Sequence, residues 1–367
     1  VLTNTPPKGP QRGPGENQTA NVLEPIMDKA ARQLGIDRLA LRLVNTPGGG
    51  QGGKIGPKRA PLTSAYLREG LEQAAAKFGY AERIKKTGKQ ANGKIRSIGI
   101  GQAYHAAGYN GWDGMVRITP DGKLHVHTGV GNLGTYSYAA TARVAAEVLG
   151  YDWNNTIIER GGSLKAMPFN IGQFGSNTSF TMTRTNYAAG MAAKGLLLEI
   201  GATMMGGKPE DYDLKNERVV GKSGSNSISF AQAAKKAIEL GGKYDGHDLD
   251  PALKGLTKMA ANMIKGTGLV AAAKDKLPKK GVVPALAAAF IEIELDPETG
   301  GVEILDYLGV ADVGQVLHPQ GLDAQIRGAA IMGFGLASKE RYIYDSAYGR
   351  SNATGLYQSK PPTYLDV

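Results

Sequence analysis

The segment Gly129-Val-Gly-Asn-Leu-Gly-Thr135 constrains this chain more than any other. It satisfies Gly-x-Gly-x-x-Gly, follows an expected strand (Lys123–Thr128) and precedes an expected helix (Tyr138–Leu149). A second expected strand ends at Glu159, where a dinucleotide-binding fold carries its ribose-binding acid. The strand itself speaks against that fold. Lys123-Leu-His-Val-His-Thr128 alternates polar and apolar residues, the pattern of a strand with one wet or polar face. The first strand of a doubly wound parallel sheet is apolar throughout. Met115–Thr119 joins it through Pro120-Asp-Gly122, which reads as a β-hairpin and not as half of a βαβ unit. The loop is expected to hold a phosphate or a pterin and not NAD.

The length of 367 residues fits about two domains. No run approaches the roughly 18 apolar residues of a membrane span, and the proline-rich N-terminus has no apolar secretory region. A start at Val1 is expected to reflect processing or excision from a longer chain. The absence of cysteine excludes disulfides, thiolate-held clusters and cysteine nucleophiles in these residues. A cytoplasmic location is expected, with the periplasm as the alternative. The net charge of +10 raises nucleic acid as a partner. The lysines, however, gather in loop-like stretches such as Lys85–Lys89 and Lys274–Lys280 without interleaved aromatics, which favours solvated loops or a protein surface. The 52 glycines recur at strand ends, as close backbone approach around a large cofactor requires.

Residues 1–18 read as an extended loop, followed by a helix over about Thr19–Leu34 that Gly35 stops. Pro47–Lys58 reads as a glycine-rich loop, Ser64–Phe78 as a helix, 95–118 as strands and Thr181–Gly201 as an alanine-rich helix. Residues 203–282 read as a peripheral Lys-rich layer with short helices at Phe230–Leu240 and Pro251–Ile264. A second hairpin pairs Phe290–Leu295 with Val302–Leu308 across Asp296–Gly300. Hairpin, glycine turn and helix thus occur near 115–150 and again near 290–340. The expectation is an α+β protein of two related units, each of β-hairpins or mixed sheets with packed helices, with cofactor loops at helix N-termini. Its expected segments are 1–94, 95–202, 203–282 and 283–367.

Hydrolytic chemistry finds little support. His125 and His127 share a strand face without an acid at metal-ligand spacing and read as hydrogen-bonded structural residues. His318, before Pro319, reads as a turn residue. Two small-residue turns stand at helix starts: Gly129–Thr135, and Gly175–Thr185 with hydroxyls around Arg184. Backbone amides, hydroxyls and an arginine at a helix N-terminus can seat a phosphate. An ordinary cap beside a solvated arginine explains the second turn equally well.

Four blocks in order bring a family into view. They are Thr3-Asn-Thr5 with Gln11-Arg-Gly-Pro-Gly15, Leu23-Glu24, Asp28, Arg38 and Arg42; Gly129–Thr135 with Ala145–Leu149; Thr183-Arg-Thr185; and Leu295–Gly300 with Asp312–Pro319, Gln325–Gly328 and Gly333-Phe-Gly335. Together they resemble the molybdopterin-binding large subunit of the molybdenum hydroxylases, the xanthine oxidase and aldehyde oxidoreductase family, in its C-terminal part. The resemblance implies that Gln11 and Arg12 lie on a loop reaching the metal and substrate. It implies that Gly131, Asn132, Gly134 and Thr135 form a pterin loop, Thr135 standing where many members have glutamine. Gly175, Ser176, Thr183, Arg184 and Thr185 would face the pterin phosphate, and Gln325 would lie beside the oxo or sulfido ligands of the metal. Arg12 and Gln325 are the implied catalytic pair, and the dithiolene of the pterin, not a side chain, would hold molybdenum.

The family's catalytic glutamate follows a Pro-Thr-x-x-Asp run. The similar Pro362–Asp366 here is followed only by Val367, so that glutamate is expected beyond Val367 or on another chain. Arg327 stands where a glutamate is usual, and no cysteine is present for a copper–thiolate site. The implied cofactor is molybdopterin, or its cytosine dinucleotide form, with molybdenum. The implied partners are the N-terminal half of the subunit, an iron–sulfur (Fe-S) subunit, an FAD subunit and a small-molecule substrate. That substrate would be an aldehyde, an N-heterocycle or an aromatic thioester, hydroxylated oxidatively or dehydroxylated in the reverse direction. Two other readings stay open: a non-catalytic scaffold of the same fold, and a NAD-dependent Rossmann dehydrogenase resting on Gly129–Gly134 and Glu159.

Overall fold

The computed structural model describes residues 9–50, 53–54, 60–108, 110–162, 165–278 and 280–366. The chain divides into two compact units, one from residues 1–106 with 281–367 and one from 107–280. This differs from the four expected segments, because strand pairing joins the first and last stretches of the chain.

The first unit opens with α1 (Glu16–Leu34), α2 (Arg38–Asn45), α3 (Leu67–Phe78), α4 (Tyr80–Arg83), β1 (Gly88–Lys89) and β2 (Ile95–Ala106). α1 starts before the expected Thr19 because Gly15, at φ 95°, turns the chain and its N–H bonds to the Gln18 side chain. The expected loop over 1–18 therefore ends early, and its first eight residues lie outside the described ones. Gly35 stops α1 as expected, in the left-handed conformation at φ 65°. α3 starts at Leu67 and not Ser64, because Ala65 is held in a bridge to Gly50. Much of the expected Pro47–Lys58 loop lies outside the described residues.

The second unit contains β3 (Asp113–Ile118), β4 (Leu124–His127), α5 (Ser137–Leu149), β5 (Thr156–Glu159), α6 (Thr178–Met205), β6 (Tyr212–Lys215), β7 (Arg218–Gly221), β8 (Ser227–Ser229), α7 (Phe230–Leu240), α8 (Gly255–Ile264) and β9 (Leu269–Lys274). The main sheet runs β5-β4-β3-β9. β3 and β4 form the expected antiparallel hairpin. β4 also pairs parallel with β5, so with α5 between them it does belong to a βαβ unit, contrary to expectation. The antiparallel neighbours β3 and β9 keep the sheet mixed. Val116, Ile118, Leu124 and Val126 pack on Ala142, Ala145 and Ala146 of α5 and on Ala189, Ala193 and Leu197 of α6. Small residues let helix and sheet touch: a Cβ on Gly114 would lie 2.1 Å from the Thr185 carbonyl oxygen. The stretch expected as a peripheral layer supplies β9, the sheet β6-β7-β8 and α8, which packs on Met115 and Val270. Its Ala-rich β9 lacks the β-branched run that marks a strand.

The chain returns to the first unit as β10 (Pro284–Leu295), β11 (Val302–Asp312), α9 (Pro319–Ser338) and α10 (Leu356–Ser359). The sheet β1-β2-β10-β11 is antiparallel throughout, with the expected β10–β11 hairpin extended to Asp312. Leu71, Phe78, Ile98, Ile100, Leu286 and Phe290 form its core. In each unit helices pack on sheet, one sheet in the first unit and two in the second, the α+β class expected.

Candidate functional site

Within the first unit the structure brings Arg12 and Gln325 together across 313 residues, while Gln11, next to Arg12 in the chain, bonds Asn17. Arg12 Nη2 donates to the Gln325 carbonyl oxygen at 3.2 Å, and Nη1 lies 3.7 Å from the Met332 sulfur. Asn17 Nδ2 donates to Gln11 Oε1 at 3.0 Å and to the Arg12 carbonyl at 3.2 Å, fixing the arm just before α1. Gln325 lies on α9. That helix is opened by Pro319 and capped by His318, whose Nδ1 accepts from Gly321 N–H at 2.8 Å. His318 is therefore a helix cap, not a plain turn residue. Arg327 is exposed and pairs with Asp323 of its own helix at 2.9 Å.

Glu24, Asp28, Arg38 and Arg42, quoted above for a family pattern, prove to be an ion-pair network. Arg42 is fully buried and bonds Glu24 at 2.6 Å and Asp28 at 2.7 Å, clamping α2 to α1. Gln102 of β2 adds a bond from its N–H to Glu24 Oε1 at 3.2 Å.

In the second unit the loop Gly129–Thr135 is held by two residues that the sequence reading missed. Asn170 Oδ1 accepts from Gly129 N–H at 2.7 Å while its Nδ2 donates to the Asp113 carbonyl at 2.9 Å. Gln173 Oε1 accepts from Leu133 N–H at 2.7 Å, and its Nε2 donates to Ser137 Oγ at 2.8 Å. Asn132 Oδ1 accepts from the N–H groups of Gly134 and Tyr136, and the Thr135 hydroxyl lies 3.1 Å from Ser137 Oγ. Residues 131–136 are exposed. The bracing segment runs on through Gly175 (φ 61°) and Ser176 (φ 50°) into α6, so both expected cofactor loops belong to one assembly. The only sequence signal for Asn170 and Gln173 was two amides flanking a glycine.

Thr183, Arg184 and Thr185 are placed inside α6, not in the turn before it, because the helix starts at Thr178. Arg184 is not solvated. It grips Asp275 bidentately at 2.7 and 3.0 Å and also bonds the carbonyls of Leu277 and Pro278. Thr185 is fully buried and Thr183 Oγ1 donates to the Ser179 carbonyl at 2.5 Å. The hydroxyls at the helix start are those of Ser176, Thr178 and Ser179.

The histidines are structural, as expected, but their face is not wet. His125 Nδ1 lies 3.0 Å from Glu159 Oε1, and Glu159 also meets Lys165 at 3.5 Å. Glu159 is thereby engaged as an ion-pair partner. His127 is buried, its Nδ1 is 2.9 Å from the Ala166 carbonyl, and burial pushes its pKa down to about 4.

Glycines of both loops are uncovered. A Cβ at Gly131, Gly134 or Gly175 would meet no atom within 4 Å, so the backbone there is open to a ligand. A family model described as a molybdopterin cofactor-binding domain matches residues 73–367, and a second of the same description matches residues 1–46. The chain belongs to this molybdopterin-binding family. It is 26% identical over 365 residues to the aldehyde oxidoreductase molybdenum-binding subunit PaoC of Escherichia coli (strain K12), covering 97% of this chain and 43% of that protein. It is 25% identical over 372 residues to the xanthine dehydrogenase molybdenum-binding subunit of Escherichia coli O157:H7, covering 100% of this chain and 46% of that one. The crystal structure of quinoline 2-oxidoreductase from Pseudomonas putida 86 shares the fold, with a TM-score of 0.72 at 20% identity over 95% of this chain and 43% of that chain. The chain therefore spans less than half the length of these relatives. Family membership and the mixed sheet together set aside the NAD-dependent Rossmann reading. Among the described residues no helix is long and apolar enough to cross a membrane.

Proposed function

We propose that this chain is part of the molybdopterin-binding catalytic subunit of a molybdenum hydroxylase. In this reading it acts on an aldehyde, N-heterocycle or aromatic thioester, oxidatively or in reverse. The N-terminal half of the subunit, an Fe-S subunit and an FAD subunit complete the complex. The reading rests on one observation above all: two glycine turns braced on each other with their backbone left open. Molybdopterin, or its cytosine dinucleotide form, supplies the two-electron redox centre when bound.

Gly131 and Gly134 let main-chain N–H groups approach the cofactor, with the Thr135 hydroxyl beside them. Ser176, Thr178 and Ser179 at the positive end of α6 favour an anionic group, a better seat than Thr183–Thr185 with its committed arginine. Arg12 takes the backbone oxygen of Gln325, so the Gln325 side-chain amide is not spent on that contact. The pair can orient a substrate carbonyl or ring nitrogen, Arg12 as a fixed cation and Gln325 as a neutral donor and acceptor.

The test is elemental analysis of the native complex with intact masses of all co-purifying chains. About one molybdenum per chain, with iron and companion chains, is expected. The variant Gly131→Ala, which meets no protein atom, should lose molybdenum while keeping its melting temperature. A metal-free chain that purifies alone and stable would leave the scaffold reading in its place.

A further inference from the structure

We propose that the exposed face of α8 is a docking groove for an acidic amphipathic helix of another polypeptide. α8 buries Ala260, Ala261 and Ile264 against the second unit's sheet, leaving Leu256, Met259 and Met263 54%, 60% and 56% exposed. Their spacing of three and four residues forms one stripe along the helix. A helix on a solvated surface carries polar groups at those positions. Facing the stripe, the segment 165–169 presents Met167 and Phe169, and the space between is a groove of about 290 Å³. Methionine is unbranched and polarizable and adapts to varied apolar partners. Gly129 and its brace Asn170 form one end of the groove, whereas the exposed residues 131–136 of the cofactor loop are not among its walls.

Charge decides the occupant. Lys165 lines the groove, 56% exposed and 3.5 Å from Glu159, and the Lys254 ammonium lies 4.8 Å over Trp112 and 5.6 Å over Phe169, which fixes a cation at the rim. Lys258, bonded to the Pro251 carbonyl at 2.8 Å, and Lys265 lie within and just after the same helix, whereas Asp250 is paired with Lys276 at 3.4 Å and the Asp275 side chain is buried in its pair with Arg184. The complement is a helix with apolar anchors at i, i+3 and i+7 and carboxylates beside them. A concave groove suits such a helix better than a flat bilayer does.

Binding to the full chain is measured by fluorescence anisotropy with a labelled synthetic helix of about 14 residues, Leu at the anchor positions and Glu elsewhere. The same helix with Lys for Glu, and vesicles of phosphatidylcholine with phosphatidylglycerol, are the competing probes. The acidic helix is expected to bind in the micromolar range, more weakly as salt rises, while the lysine helix does not bind. Met259→Asp with Met263→Asp should weaken binding by about tenfold or more, and Lys165→Glu should weaken it while restoring some affinity for the lysine helix. These side chains are exposed, and circular dichroism checks that the variants fold. Failure of the acidic helix to bind at millimolar concentration, equal binding by the double variant, or stronger binding to vesicles would each overturn the proposal.

Discussion

Arg42→Met isolates the element that fixes the Arg12 arm. Arg42 is fully buried and donates five times: to Glu24 Oε2 from Nε at 2.9 Å and from Nη2 at 2.6 Å, to Asp28 Oδ1 at 2.7 Å, and to the carbonyls of Arg38 at 3.1 Å and Glu24 at 3.3 Å. Methionine keeps most of the volume, so the cavity contribution is small. What is lost is the partner of two carboxylates whose side chains are only 19% and 28% exposed. Breaking a buried pair by removing one member costs about 3–5 kcal/mol. Both carboxylates keep some water and Asp28 keeps Arg38 at 3.2 Å, which places the expected loss near the lower limit, about 3 kcal/mol.

The assay is amide hydrogen exchange, because a chain of two units need not unfold in one step. Protection across α1 and α2 should fall by about a hundredfold in Arg42→Met, while amides of β3 and β4 in the other unit stay unchanged as an internal reference. Glu24→Gln added to Arg42→Met should recover part of the loss by removing the stranded charge. Arg38→Met, whose side chain and partner Asp28 are both more than a quarter exposed, should cost about 1 kcal/mol or less. A change of less than about threefold across α1 and α2 in Arg42→Met would refute the claim that this network, and not packing alone, holds the two helices together.

Three further outcomes are expected. Gly114→Ala forces a Cβ to 2.1 Å from the Thr185 carbonyl, and because helix backbone cannot swing aside it should cost about 3 kcal/mol and lower the melting temperature by several degrees; an unchanged melting temperature would disprove the close approach. Burial lowers the His127 pKa from 6.5 to about 4, so the unfolded chain binds the extra proton first. Stability present above pH 6.5 is then lost as pH falls toward 4, by about 3 kcal/mol, and His127→Gln should flatten that slope in urea titrations across the window. Gln173→Ala removes bonds to exposed Leu133 and to Ser137, so it should cost about 1 kcal/mol or less yet lower molybdenum content well beyond that; parallel losses of stability and metal would count against a cofactor role.

Local signals made the two hairpins legible, because alternation and a turn of Pro-Asp-Gly or Asp-Pro-Glu-Thr-Gly sit within a few residues of each other. β9 was not legible: half of Leu269–Lys274 is alanine, and it is a strand only because β3 offers it a partner, Ile118 opposite Leu269 through Asp113 opposite Lys274. Arg184 illustrates the same limit at the site. Its surroundings read as hydroxyls at a helix start, but the aspartate that claims it lies 91 residues away. Arg12 and Gln325 were paired through resemblance alone, since no periodicity relates residues 313 apart.

β4 shows how a sound pattern can carry a mistaken cause. Its alternation does mark one polar face, but that face is covered, and His127 is 3% exposed. The bond between His127 Nδ1 and the Ala166 carbonyl ties down the segment that carries Asn170, and Asn170 in turn holds Gly129. His127 therefore helps to suspend the glycine loop, while His125, 12% exposed, is engaged by Glu159. The βαβ crossover from β4 through α5 to β5 is also present, with the loop at the C-terminal end of its strand, where open α/β sheets bind their ligands. Gly-x-Gly-x-x-Gly thus answers one local need in either fold, a main chain brought close to a ligand where a strand gives way to a helix. What separates this protein from a dinucleotide fold is β3 and β9, antiparallel neighbours on the far side of β4 that the motif itself does not encode.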